Sequence, residues 1–243
     1  MPPVLEDVPI ADCLPMLVVE DGAILDKDTG KPIPHPLVKS RESTDEVWEI
    51  GCAAWQATTG SRDRIEKLFH PTQYDTALPL CIDKVIGFGL GSMALGTDPT
   101  RVRHCVQHVI VKSIRDLLLQ RGAEKVGCFV QDPVYQPDDE DILGNAGITV
   151  LDDPRAFLEV DANTVVVAFS PSFPLRQIIA DIARPAVLIW APLPIEGKMI
   201  SSLTDPTNSR VTNMIVDHYT EAVLFAPCPW FGVTSVYVRN DLS

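Results

Sequence analysis

Residues 84–92 read KVIGFGLGS, a short apolar run that passes straight into glycines. An apolar run of this length, without alternation, suits a strand buried on both faces. From about Thr100 to Gln120, Val102, Val106, Val109, Ile110, Ile114 and Leu117 recur at helical spacing, and Gly122 follows in the C′ position. In open parallel sheets ligands bind beyond the carboxyl ends of the strands, where glycines let the backbone come close. The loop Gly87, Gly89, Gly91, Ser92 is therefore a candidate binding site. The spacing is G-x-G-x-G, with Ser92 where a dinucleotide fingerprint needs its third glycine. A tight structural turn explains the same glycines, and both readings stay open.

Further along, strand-like runs alternate with helical ones. KVGCFV is followed by a short helix from Asp138, ITVL by one near Pro154, TVVVAF by one over Leu175–Ala183, and AVLIWA by one over Asn213–Tyr219. Such alternation predicts a mainly parallel sheet covered on both sides. The last run, VTSVYVR, alternates and reads as an antiparallel edge. Upstream, Met16–Ile24 suits a strand, Lys27–Gly30 a turn, and Pro32, Pro34 and Pro36 an extended segment. A helix is predicted from Ser43, whose spacing to Glu46 is that of a capping box, with Val47, Ile50, Ala54, Trp48 and Trp55 as its apolar side. A second helix is expected over Arg62–Phe69, ended by Pro71. The expected fold class is α/β, a Rossmann-like mainly parallel sheet with helices on both faces, in a single domain with an N-terminal helical extension. Its parts are an irregular segment over 1–42, a helical lead-in over 43–81 and the α/β domain over 82–243.

Composition narrows the partners. The 243 residues are 46% hydrophobic, enough for a real core, and 21 prolines speak against a helical bundle. A net charge of -13 argues against a surface that grips DNA through its phosphates. The N-terminus lacks the pattern of a signal peptide, and no apolar run is long enough to span a membrane. Cys13, Cys52, Cys81, Cys105, Cys128 and Cys228 are scattered without a C-x-x-C pair, which points to reduced thiols in the cytoplasm or nucleus.

Several side chains suit chemistry. Asp45, Glu46 and Glu49 crowd the first turns of the predicted helix, and Asp45 and Glu49 share a face at i, i+4. Carboxylates so placed fork a guanidinium or move protons, although acids also favour helix N-termini through the macrodipole alone. Asp132 closes a strand, where an acid either takes ribose hydroxyls or caps a turn. Ser170 and Ser172 follow another strand and would face the same rim. His104 and His108 have metal-ligand spacing on a helix, but no third ligand is evident, so no metal site is assigned. Asp138–Asp141 reads as a solvated helix start, and Trp190 and Trp230 as core.

The run VIGFGLGSM, a long helix carrying Gln107, the strand ending QDPVYQPDDEDIL, and AGITVLDDPRAFLEVDANTVV together resemble the SRR1-like domain over residues 82–192. The matched positions are Gly87, Gly89, Gly91, Ser92, Gln107, Asp132 and Pro133, and all but Pro133 are ligand-binding candidates by this resemblance. The chain departs from the family at Ser170-Pro171-Ser172 and Ala191-Pro192-Leu193, both on the presumed rim. Asp45-Glu46-Val47-Trp48-Glu49 is similar to the D-D-x-x-E motif of the fungal arginine-containing cyclodipeptide synthases, with one substitution. That resemblance implies an enzyme of secondary metabolism joining residues carried on aminoacyl-tRNA, without a cofactor. Asp45, Glu46 and Glu49 would be catalytic, and the Gly89 and Gly91 amides would donate to an oxyanion. Arg101, Arg103, Lys112 and Arg115 would form the local patch for the tRNA. The rival expectations are a non-catalytic SRR1-type regulator, as in light, circadian or haem-related signalling, and an enzyme binding S-adenosylmethionine or NAD(P).

Overall fold

The computed structural model describes residues 18–20, 23–25, 38–69, 81–169, 171–194 and 204–242. The Lys27–Gly30 turn, the Pro32–Pro36 segment, Pro71, Cys13 and Ser170 lie outside them. Backbone contacts divide the chain into two units, Met1–Val38 and Lys39–Ser243. In the first, β1 (Val18–Glu20) pairs antiparallel with β2 (Ala23–Leu25), two short strands where the sequence pattern gave one.

The second unit holds a seven-stranded sheet in the order β5-β4-β3-β6-β7-β9-β8. The strands are β3 (Lys84–Phe88), β4 (Gly127–Gln131), β5 (Thr149–Val150), β6 (Thr164–Val167), β7 (Val187–Trp190), β8 (Tyr219–Cys228) and β9 (Gly232–Arg239). Strands β3 to β7 pair in parallel, β9 runs antiparallel to β7, and β8 runs antiparallel to β9. Strand β8 therefore points the same way as β3–β7, and β9 alone is reversed. The fold is α/β and Rossmann-like, as the alternating pattern predicts.

Side-chain alternation splits the core into two layers. Val85, Val130, Val165, Val187 and Val236 face one layer with α1 (Arg41–Ala57), α2 (Thr59–Phe69), α3 (Asp98–Gln120) and α4 (Pro137–Asn145). Ile86, Phe88, Val166, Leu188 and Tyr237 face the other, with α5 (Arg155–Glu159), α6 (Leu175–Ile182) and α7 (Ser209–His218). The chain leaves β3 into the first layer and β6 into the second. The crevice beyond the ends of these adjacent strands is the topological switch point, where open α/β sheets take their ligands.

Local chemistry adjusts several boundaries. Helix α1 starts at Arg41, because Ser40 is extended and its hydroxyl accepts the Ser43 amide hydrogen; the N-cap is Ser40 and not Ser43. Its buried side is Thr44, Val47, Gly51 and Trp55, while Ile50, turned away from that stripe, is 46% exposed. Helix α3 begins at Asp98 and takes Pro99 into its first turn, where a missing N–H costs nothing. Gly122 follows its C-cap with φ +96, as a C′ glycine should. Strand β9 is antiparallel, as its alternation suggests, but it is interior; the edge is β8. Cys105 and Cys128 are buried and Cys81 is exposed, all as free thiols. No helix among the described residues is long and apolar enough to cross a membrane.

Candidate functional site at the glycine loop

The residues between β3 and α3 build the rim of the switch point. Gly87 is not part of the loop: it lies inside β3, where a Cβ would come within 2.7 Å of Leu90 and 3.1 Å of Val111. Its role is to let α3 approach the sheet. Gly89 and Gly91 have φ of +62 and +78, a conformation that side-chain-bearing residues seldom adopt. Between and beyond them, Leu90, Ser92, Met93 and Ala94 turn inward and are buried. The loop thus presents the backbone of Gly89 and Gly91 at its surface. Pro171, just beyond β6, closes on Gly89: a Cβ there would be 3.1 Å from the Pro171 Cα.

The amides of those two glycines are already engaged. Gly89 N–H donates to the Gln131 carbonyl at 3.1 Å and Gly91 N–H to Asp132 Oδ2 at 2.8 Å. They are not the free oxyanion donors that the sequence suggests. The other Asp132 oxygen accepts the Val134 amide, so this carboxylate holds both the loop and its own turn. Ser92 Oγ donates to Asp139 Oδ2 at 2.6 Å and accepts the amides of Ala94 and Leu95. Asp139 also accepts the amides of Met93, Ala94 and Gln136. It is wholly buried, which corrects the reading of Asp138–Asp141 as a solvated run. The signal for it is in the sequence: Gln136 and Asp139 have capping-box spacing.

A buried guanidinium joins the loop to the acidic helix. Arg101 is 1% exposed; its Nε donates to the Met93 carbonyl at 2.6 Å, and its Nη1 donates to Ser43 Oγ and Asp98 at 3.0 Å. The Lys39 amide donates to the Ala94 carbonyl at 2.9 Å. The first turn of α1 is therefore fixed to residues 93–94. On α1, Asp45, Glu46 and Glu49 are exposed. Asp45 takes Arg41 Nε at 3.2 Å, and Arg41 Nη1 reaches Asp141 at 2.9 Å and Asp138 at 3.8 Å on α4. Helix geometry sets Glu46 and Glu49 on the side opposite the buried stripe, with Asp45 on its flank.

The remaining candidates spread over the rim. Gln107 is buried and donates from Nε2 to the Trp230 carbonyl in the β8–β9 turn at 2.7 Å. Trp230 is only partly buried and donates its indole N–H to Thr58. Ser172 is exposed beyond β6. His104 and His108 differ. His108 is buried and bonds the His104 carbonyl through Nδ1 and the Tyr135 hydroxyl through Nε2; burial pushes its pKa down to about 4. His104 is half-buried, with Nδ1 2.8 Å from the Ser92 carbonyl and its ring against Gly91. Burial also lowers its pKa from the ordinary value. Of the expected basic patch, Arg101 is buried, Arg103 is exposed, and Lys112 and Arg115 share one carboxylate, Asp116.

The glycine loop, the inward-turned Ser92 and the acid closing β4 are residues on which the resemblance to the SRR1-like domain rests. The family model for the SRR1 domain matches residues 65–217. That range runs from α2 through α7 and contains the whole parallel part of the sheet. Among curated proteins the chain has no match. The matched range covers well over half of the sequence, and the chain belongs to the SRR1 domain family.

Proposed function

We propose that the chain is a biosynthetic acyl transferase of fungal secondary metabolism, acting in the cytoplasm. It would join an arginyl residue and a second aminoacyl residue, both delivered on tRNA, into a cyclic dipeptide. One observation carries this reading: the guanidinium of Arg101 ties the first turn of α1 to Met93, so the acidic helix and the glycine loop form one rigid piece. Exposed carboxylates on a helix tied to a ligand loop suit a catalyst better than a regulator. Asp45 already accepts a guanidinium from Arg41, which supports its suitability for an arginyl side chain. In this reading Asp45 and Glu49 hold the substrate guanidinium. The crevice around Gly89, Gly91, Gln107 and Ser172 takes the aminoacyl end of the tRNA. With Arg101 buried and Lys112 and Arg115 sharing Asp116, recognition rests on that end more than on the tRNA body.

The test is expression of the full chain in a microbial host, with mass spectrometry of the medium for new arginine-containing cyclic dipeptides. Product in the wild type, lost in Asp45→Asn and Glu49→Gln, supports the proposal. Soluble, folded protein without product favours a non-catalytic SRR1 regulator. That second reading has its own support: the loop's polar groups are satisfied within the chain, by Asp132, Asp139 and Arg101.

A further inference from the structure

We propose that His104 is the general base of this site, accepting a proton at Nε2 from the attacking amine. The inference rests on the acyl-transfer reading above and adds to it the residue that moves the proton.

The argument starts from the tautomer. Nδ1 lies 2.8 Å from the Ser92 carbonyl, which can only accept, so Nδ1 carries the hydrogen. The lone pair is therefore on Nε2. Among the described residues nothing donates to Nε2, and the ring is half-buried rather than enclosed. His108, one turn further on, contrasts at every point: it is buried and both its nitrogens are bonded.

Position comes next. The His104 ring lies over Gly91, where a Cβ would stand 2.5 to 2.6 Å from Cε1, Nδ1 and Nε2. Only a glycine at position 91 leaves room for it. The imidazole is thus held between the Ser92 carbonyl and the Gly91 backbone, at the carboxyl end of β3, where the fold places a ligand. Charged and titratable groups act on it from three elements: Arg103 and His108 on α3, Asp132 after β4 and Asp139 on α4. Burial outweighs the two carboxylates and keeps the ring neutral at pH 7, the form that a base requires.

The step balances without a further reactant. The neutral α-amino nitrogen of one aminoacyl ester attacks the carbonyl carbon of the other, forming the C–N bond. Its proton passes to His104 Nε2. The ester C–O bond then breaks, and the same proton passes to the departing ribose oxygen. Ring closure repeats the cycle on the second ester.

His104→Asn tests the role, because the asparagine amide reproduces the Nδ1 hydrogen bond to Ser92 and deletes Nε2. In product formation from arginyl-tRNA, the expected result is a fall in kcat of about 10²–10⁴-fold with KM little changed. The acid limb of the wild-type pH profile, which falls below pH 6.5, should vanish with it. A variant that keeps kcat within threefold, or keeps that limb, overturns the proposal. Wild-type protein that makes no product removes the acyl-transfer reading and the role together. Product from the wild type with an unaffected variant removes only the role. A second measurement needs no activity: ethoxycarbonylation of the wild type with diethyl pyrocarbonate, mapped by mass spectrometry. Modification of His104 and protection of His108 is expected; an unmodified His104 overturns the proposal.

Discussion

At Gly91 two penalties coincide: φ is +78, and an added Cβ would enter the His104 ring at 2.5 Å. Gly122, with φ +96 and open space around it, carries only the first. Gly122→Ala should cost about 1 kcal/mol, and Gly91→Ala about 2–3 kcal/mol, in denaturant unfolding. Asp139 anchors four donors in a buried setting, so Asp139→Asn, which turns an amide N–H toward some of them, should cost about 2–3 kcal/mol. His108 gives a pH signature. Its folded pKa is depressed to about 4 from 6.5, so below pH 6.5 the unfolded chain takes up a proton that the folded chain refuses. The histidine's contribution is complete above pH 6.5 and is lost as pH falls through about 4. The urea midpoint should drop between pH 7 and pH 5, and drop less in His108→Gln. The positions of Gly89, Gly91, Ser92 and Asp132 were legible in the sequence. The cap of Asp132 on the Val134 amide was one of its two readings, but its bond to Gly91 and that of Ser92 to Asp139 were not legible, because each partner comes from a different element. Asp139 shows why: a carboxylate in an acidic run looks solvated until the buried amides of residues 93–94 are known to meet it.

Helices α1 and α3 meet at Gly51, where a Cβ would lie 2.2 Å from Cys105 Sγ. Gly51→Val should force the helices apart and cost about 3 kcal/mol, and it should loosen the glycine loop through Arg101. Gly60 on α2 has nothing within 4 Å, and Gly60→Ala should stabilise by about 0.5 kcal/mol. Thermal unfolding of the pair checks both signs. The elements themselves were readable from periodicity, since α3 carries its apolar residues at helical spacing and the strands are short and unbroken. Two details were not. Ile50 looks like part of the α1 stripe in the sequence, yet the packed face is set by Gly51, a residue with no side chain to announce it. Strand β9 looks like an edge because its run alternates and carries Thr234 and Ser235. Both are buried, with Thr234 donating to the Phe231 carbonyl and Ser235 to Glu221.

Over the whole molecule, the sheet holds β8 through β9 alone, and β9 joins that pair to β7. Val236, fully buried in β9, should therefore be among the least tolerant positions: Val236→Asp places an unpaired charge in the first core layer. Hydrogen exchange should show β8 and β9 amides opening together in that variant, ahead of β3 and β6. The topology also orders events during synthesis. After β3, strands β4 to β7 emerge in sequence and each finds a parallel neighbour already made. Strand β8 does not: on leaving the ribosome it has no partner, and the outer edge of β7 stays open beside it until Gly232–Arg239 follows. The nascent chain thus passes through an interval with β8 unpaired and one edge of β7 open, the state in which edge-to-edge association is fastest.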